Sequence, residues 1–256
     1  MSHGPVEKEP GAPGRERANP ADMTGQDAAT ARQGGRQPDS ANPPGAVIVM
    51  HGGRSVSIEP TAALQPSVLR MIPVAGAIRH ALRGTGARVC RPRFRVRGWN
   101  GPEASPVQDL HELLDQLSRD WGRIPVVLVG HSMGARAALR AAGHPLVAAV
   151  AGLAPWLPPA EPVSQLAGRR ILLVHGSADE ITSPEQSWAY AERGRSVTKV
   201  ATIEIRGGDH AMLRRARLWH RLAAELTRLS LAQPTRAGEV AAAFNRAAAG
   251  EPRPVL

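Results

Sequence analysis

The stretch Val126-Val-Leu-Val-Gly-His-Ser-Met-Gly134 decides how this chain is read. Its first four residues are apolar and mostly β-branched, the composition of a strand buried on both faces. Ala135 to Ala142 behind them read as a helix of small residues. Gly130-x-Ser132-x-Gly134 lies between the two, on a sharp turn whose glycines let neighbouring chains pass closely. A serine at the apex of such a turn points its hydroxyl out of the sheet edge. It becomes a nucleophile when a base takes its proton and a third group orients that base.

Candidates for both partners follow in the order acid, then histidine. Ile171-Leu-Leu-Val174 is a second buried-strand run, and His175-Gly-Ser-Ala-Asp179-Glu-Ile-Thr-Ser-Pro184 comes after it. An acid a few residues past a strand end sits on the rim where open parallel sheets bind ligands. Val200–Ile205 reads as a further strand, and Gly207-Gly-Asp-His210 as the loop beyond it. A helix is expected next, with Met212, Ala216, Trp219, Leu222, Leu226 and Leu229 at near-helical spacing.

Taken together, four pieces resemble the α/β-hydrolase superfamily over roughly residues 45–230. They are Val47-Ile-Val-Met-His-Gly-Gly53, the Gly-His-Ser-Met-Gly around Ser132, the His-Gly-Ser-Ala-Asp ending at Asp179, and the Gly-Gly-Asp-His ending at His210. The resemblance implies a three-layer α/β fold, with Ser132 as nucleophile, His210 as general base and then acid, and Asp179 as the orienting carboxylate. It also implies an oxyanion hole from the backbone N–H of Met133 and a second N–H at Gly53, with Arg54 the next candidate. Each such donor is worth roughly 3–4 kcal/mol of barrier.

Other residues compete for these roles. Glu180 and Asp209 are alternative acids, although adjacent loop residues such as Asp209 and His210 rarely point at one another. His51, His131 and His175 also sit at strand ends and read as turn-shaping and packing residues. His80, His111, His144 and His220 have no motif around them. No His/Cys/Asp cluster has metal-ligand spacing and no phosphate-cradling glycine loop appears, so neither metal nor cofactor is expected.

The rest of the chain alternates between strand and helix signals, as a helix-flanked parallel sheet of about six strands requires. The strands are expected at Ala46–Met50, Ala87–Arg91, Ile124–Val129, Leu146–Leu153, Arg170–Val174 and Lys199–Ile205. Helices are expected from Pro73 to Leu82 and from Ser105 to Trp121. Ser105-Pro-Val-Gln108 and Ser183-Pro-Glu-Gln186 both carry the signature of a capping serine with proline in the first turn. Residues 1–44 hold almost no large apolar side chain and read as a disordered tail, with Met23 an alternative start. Residues 231–256 read as a second tail, with a short peripheral helix near Val240–Ala249.

Only Pro155 to Gly168 separate two of the strands, where many such hydrolases insert a lid. The cleft is therefore expected to be open and shallow, bounded by the loops around Trp99, Trp156 and Trp188. Trp156 and Arg54 are candidate substrate contacts, and Trp99 a further one. Arg54 and Arg97 follow strand ends and suggest preference for an anionic substrate.

The formal net charge is +10, yet 30 of the 32 basic residues are Arg and no recognition helix or aromatic platform accompanies them. Specific nucleic-acid binding is not expected; weak, salt-sensitive association with anionic surfaces is. The lone Cys90 is expected in a buried strand as an inert thiol. No signal peptide or membrane-length run is seen, which points to the cytoplasm. The sequence thus reads as a serine hydrolase acting on a small-molecule carboxylic ester, less readily an amide or thioester. Acyl transfer on the same triad, or ligand binding on a hydrolase scaffold, are the alternatives.

Overall fold

The computed structural model describes residues 42–231 and 238–256. The N-terminal tail, with Met23, lies outside them except for residues 42–44.

Six parallel strands form one sheet: β1 (Ala46–Met50), β2 (Arg88–Cys90), β3 (Val126–His131), β4 (Val147–Leu153), β5 (Arg170–Gly176) and β6 (Lys199–Ile205). Their order is β2-β1-β3-β4-β5-β6. Every central strand is apolar on both faces because helices cover both. Successive residues alternate between two cores: Ala46, Ile48 and Met50 point into one, Val47 and Val49 into the other.

The first core is closed by α2 (Ser105–Trp121), α3 (Met133–Arg140) and α4 (Pro184–Arg195), through residues such as Leu110, Leu114, Leu139 and Tyr190. The second is closed by α1 (Met71–Ala81), α5 (Ala216–Leu231) and α6 (Glu239–Ala248), through Val74, Ile78, Trp219, Leu222, Leu226 and Val240. Burying each large side chain contributes about 1.5–3 kcal/mol.

Boundaries move where local chemistry overrides pattern. Ser105 does not cap α2: Ala104 holds that position in the left-handed region (φ 45°), and the Ser105 hydroxyl instead accepts a hydrogen bond from Asn100 Nδ2 at 3.2 Å. Ser183 does cap α4, its Oγ accepting from Gln186 N–H at 3.1 Å. Met212 precedes α5 rather than beginning it, at φ 57°. Cys90 is half-buried because β2 is an edge strand of three residues. Beyond the helix signal near residue 240, the C-terminal segment packs Val240 and Ala243 into the second core. Glu204 on β6 then exchanges backbone hydrogen bonds with Pro254 and Leu256. Main-chain pairing, invisible in an Ala-, Arg- and Pro-rich composition, thus places the chain end along β6.

The strand order fixes where a ligand can sit. The chain leaves β1 toward β2 on one side, and the later strands build outward from β3 on the other. Neighbouring connections therefore diverge between β1 and β3 and leave a crevice at their C-terminal ends. His51-Gly52-Gly53 and Ser132 occupy those two ends.

Candidate active site

Ser132 sits between β3 and α3 at φ 53°, ψ −117°, a strained conformation for a residue with a side chain. Its backbone is pinned on both sides: Ser132 N–H donates to Leu153 O at 3.0 Å, and Ser132 O accepts from Ala135, Arg136 and Trp156. The flanking glycines are steric necessities. A β-carbon on Gly130 would lie 2.3 Å from Gly134 O, and one on Gly134 would lie 2.4 Å from His51 O.

Asp179 and His210 come together across the loops after β5 and β6. Ser177 N–H donates to Ile205 O and Ala178 N–H to Gly208 O, both at 3.0 Å, so the two loops are stitched by main chain. His210 Nδ1 donates to Asp179 Oδ2 at 2.9 Å. That fixes the tautomer and leaves Nε2 as the nitrogen with a free lone pair. No hydrogen bond joins Ser132 Oγ to His210 among the described residues.

The carboxylate is held more heavily than the sequence suggested. Asp179 Oδ2 also accepts from His175 Nε2 at 3.0 Å and from Thr182 Oγ1 at 3.0 Å. Asp179 Oδ1 accepts from the N–H groups of Ile181 and Thr182, each at 2.9 Å. Burial works to raise the pKa of this fully enclosed side chain, but the donors from His175, His210, Thr182 and Ile181 outweigh it. They hold Asp179 well below the usual carboxylate range. His175 is fully buried, and its Nδ1 takes the Ser187 hydroxyl at 2.7 Å. Its Nε2 faces the Asp179 carboxylate at 3.0 Å and the Thr182 carbonyl at 3.2 Å, with the Thr182 hydroxyl, itself donating to Asp179, at 3.3 Å; two obligate acceptors assign the proton to that nitrogen. The sequence reads His175 as a packing residue; its i, i+4 spacing from Asp179 is the signal for this contact.

The other candidates make contacts of their own. Asp209 accepts from Leu213 and Arg214 N–H, at 3.0 and 2.9 Å, and so shapes its own turn. Glu180 is exposed. His51 donates from Nδ1 to Gly52 O at 2.7 Å and accepts Phe94 N–H on Nε2 at 3.2 Å, which locks the loop after β1. His131 is completely buried, and its Nε2 donates to the His210 carbonyl at 2.8 Å. Burial above all, with the neighbouring His210 ring, pushes its pKa down to about 3, so it stays neutral near pH 7.

The loop after β1 packs against the turn that carries Ser132. Gly52 packs against the Cβ of Ser132, and Gly53 lies so close to the Met133 side chain and Arg97 O that a β-carbon there would overlap both. Arg54 N–H is taken by Arg97 O at 2.8 Å, whereas the N–H groups of Gly53 and Met133 have no acceptor among the described residues. Met133 is the first residue of α3, where an N–H lacks an intrahelical partner by construction.

The expected pocket residues separate by burial. Trp99 is only 3% exposed and belongs to the first core, not to a cleft wall. Trp156 meets it edge-to-face with ring centroids 6.1 Å apart, and the Arg136 guanidinium stacks on both, 3.8 and 4.5 Å from their centroids. Arg136 and Arg140 share the buried Glu161, at 2.8 and 2.5 Å. Arg193 donates to the Glu161 carbonyl and Tyr190 to that of Pro162. The short connection after β4 is thereby strapped down. Arg97 is neutralised by Glu59 at 2.6 Å, which removes it as a free anion contact; the Arg54 side chain is exposed. Trp188 lies on α4 beneath Arg253, its ring against His175. A cavity of about 510 Å³ lies at the opposite, N-terminal ends of β3, β4 and β5, remote from Ser132.

Among the described residues no His/Cys/Asp/Glu group has the arrangement to hold a metal ion, and no helix is long and apolar enough to cross a membrane. A family model for the alpha/beta hydrolase family matches residues 47–255. Solved structures with the same fold include an alpha-beta serine hydrolase homologue from Coxiella burnetii, at 20% identity and TM-score 0.55 over 74% of this chain and 88% of that one. Est1E from Butyrivibrio proteoclasticus aligns at 14% identity and TM-score 0.56, over 77% and 92% of the two chains. A serine hydrolase without lid from Xanthomonas campestris aligns at 23% identity and TM-score 0.53, over 77% and 88%. No curated protein matches. The family match spans both strand-end loops at the crevice and runs on through α6: the chain belongs to the alpha/beta hydrolase family.

Proposed function

We propose that the protein is a serine hydrolase of carboxylic esters, working through an acyl-enzyme on Ser132. The observation that carries this reading is the 2.9 Å bond from His210 Nδ1 to Asp179 Oδ2, made on the rim where Ser132 is held at positive φ.

In the reaction, Ser132 Oγ attacks the acyl carbonyl while His210 Nε2 takes its proton. The carbonyl oxygen becomes an oxyanion, and the N–H groups of Gly53 and Met133 are the donors in reach of it. His210, now an imidazolium stabilised by the ionised Asp179, returns the proton to the departing alkoxide, and the alcohol leaves. Water then gives a proton to His210 and adds to the acyl carbon. Collapse of the second tetrahedral intermediate expels Ser132, which recovers its proton, and frees the acid. Every proton and electron pair in this cycle is supplied by the triad, substrate and water.

The test is labelling with a fluorophosphonate probe, read by intact mass. Wild type should gain one adduct and Ser132→Ala none, and turnover of short-chain p-nitrophenyl esters should vanish in the variant. A folded wild type that takes no label, or a variant that keeps its turnover, would overturn the reading.

A further inference from the structure

Nine large apolar side chains stand exposed among the described residues, and their distribution is lopsided: seven follow the C-terminal ends of strands. Val56, Ile58, Leu64 and Leu69 lie on the connection from β1 to α1, Ile72 in the first turn of α1, Ile181 follows β5 and Leu213 follows β6. Val56, Ile58, Leu64, Ile181 and Leu213 are each more than 70% exposed. Hydration of so much aliphatic surface is unfavourable, and its concentration on one end of a sheet marks a contact surface.

These loops belong to one rim. Ile181 adjoins Thr182, whose Oγ1 lies 3.2 Å from His210 Nδ1, and Leu213 is bonded through its N–H to Asp209 beside that histidine. Arg70, between Leu69 and Ile72, lies within electrostatic reach of Asp209 and His131. The display is also rigid. Asn100 N–H donates to Ser55 O and Arg97 N–H to Glu59 O, both at 3.0 Å, and Thr61 N–H to Arg95 O at 3.2 Å. Val56 and Ile58 are therefore held outward by anchored backbone.

We propose that this rim docks the protein on an anionic lipid surface, with the Ser132 crevice facing the layer. The chemistry of the rim selects that occupant. Its exposed large apolar residues are aliphatic, whereas protein-binding hot spots are dominated by Trp, Tyr and Arg, with Leu and Val under-represented. Arginine accompanies the aliphatic residues: Arg54 is two positions from Val56, Arg70 separates Leu69 from Ile72, and Arg214 follows Leu213. Arg54 and Arg214 are exposed and have no side-chain carboxylate partner among the described residues. Such side chains lay their stems along acyl chains while the guanidinium meets headgroup phosphate. The chain's net charge of +10 draws the whole molecule toward such a surface. The substrate consequence, an ester drawn from the layer itself, rests on the hydrolase reading above; docking does not.

The test is co-sedimentation of the full chain with vesicles of phosphatidylcholine alone, and of phosphatidylcholine containing phosphatidylglycerol. Wild type and Ser132→Ala should bind the anionic vesicles equally and the neutral ones weakly. The triple variant V56S/I58S/L64S should lose anionic binding on the order of tenfold, while its turnover of a soluble short-chain ester is unchanged. Three results would overturn the proposal: no binding by wild type to anionic vesicles, equal binding by the triple variant, or a wild-type dimer in gel filtration that the triple variant disperses. Equal binding by Ser132→Ala separates the docking question from whether Ser132 reacts.

Discussion

The two halves of the candidate site are built by different means. Asp179 receives five hydrogen bonds, and the loop carrying His210 is tied to it by side chain and main chain. Ser132 Oγ has no such partner among the described residues; its position is set by a strained backbone and by glycines that let neighbouring chains close in. On the proposed reading, the group that stays charged and oriented is fixed by donors, and the group that attacks a substrate is fixed from behind, with its reactive atom unencumbered.

Substitutions can break this contrast or sharpen it. Ser132→Ala should reduce ester turnover by about 10⁵-fold or more with little change in urea midpoint, because no hydrogen bond to its hydroxyl holds the fold. A large loss of stability would contradict the contrast. Asp179→Asn should cost about 10⁴-fold in kcat and, unlike the serine variant, also lower the melting temperature, since the amide nitrogen replaces one of two oxygens that each accept from several donors and leaves those donors unmatched.

His175→Leu should lower kcat on the order of tenfold, the weight of one hydrogen bond, with KM unchanged. His175→Gln, which returns an N–H to that point, should restore most of it. A purely structural role would show equal losses in both variants and a shift in KM.

Ser132→Gly should be inactive yet more stable, by about 1 kcal/mol, because glycine accepts positive φ without strain. The last expectation concerns pH. His131 has its native pKa depressed to about 3, so between the ordinary histidine value and that point the unfolded chain binds the extra proton. Stability therefore falls as pH drops below about 6.5, at up to ~1.4 kcal/mol per pH unit, and His131→Gln should flatten the slope of urea midpoints taken between pH 7.5 and 5.

What the sequence made legible was periodic or local. Runs such as Val126–Val129 and Ile171–Val174 announce doubly buried strands. Gly130, Ser132 and Gly134 announce the turn, because steric exclusion acts within a few residues. The less legible features depend on separations that spacing does not encode. Glu161 reaches arginines on α3 that are 21 and 25 positions away, and buried Trp99 packs against Arg136 and Trp156, 37 and 57 positions on. His175 illustrates the intermediate case: the sequence reads it as a packing residue at a strand end, because its bond to Asp179 depends on a loop that bends back within four residues. Ser105 shows the limit of a capping signature, since the left-handed Ala104 takes the position the hydroxyl would need.

The strap after β4 has a consequence for the fate of the acyl-enzyme. Where a cover closes over a hydrolase site, water is shut out for part of the cycle and a chosen acceptor can be admitted instead. Here Glu161, gripped by Arg136 and Arg140, ties that connection to α3. On the reading of Ser132 as nucleophile, a connection so tied does not swing across the crevice between turnovers, and the order in which acceptors reach the acyl group is set by diffusion into a fixed opening rather than by a closing step.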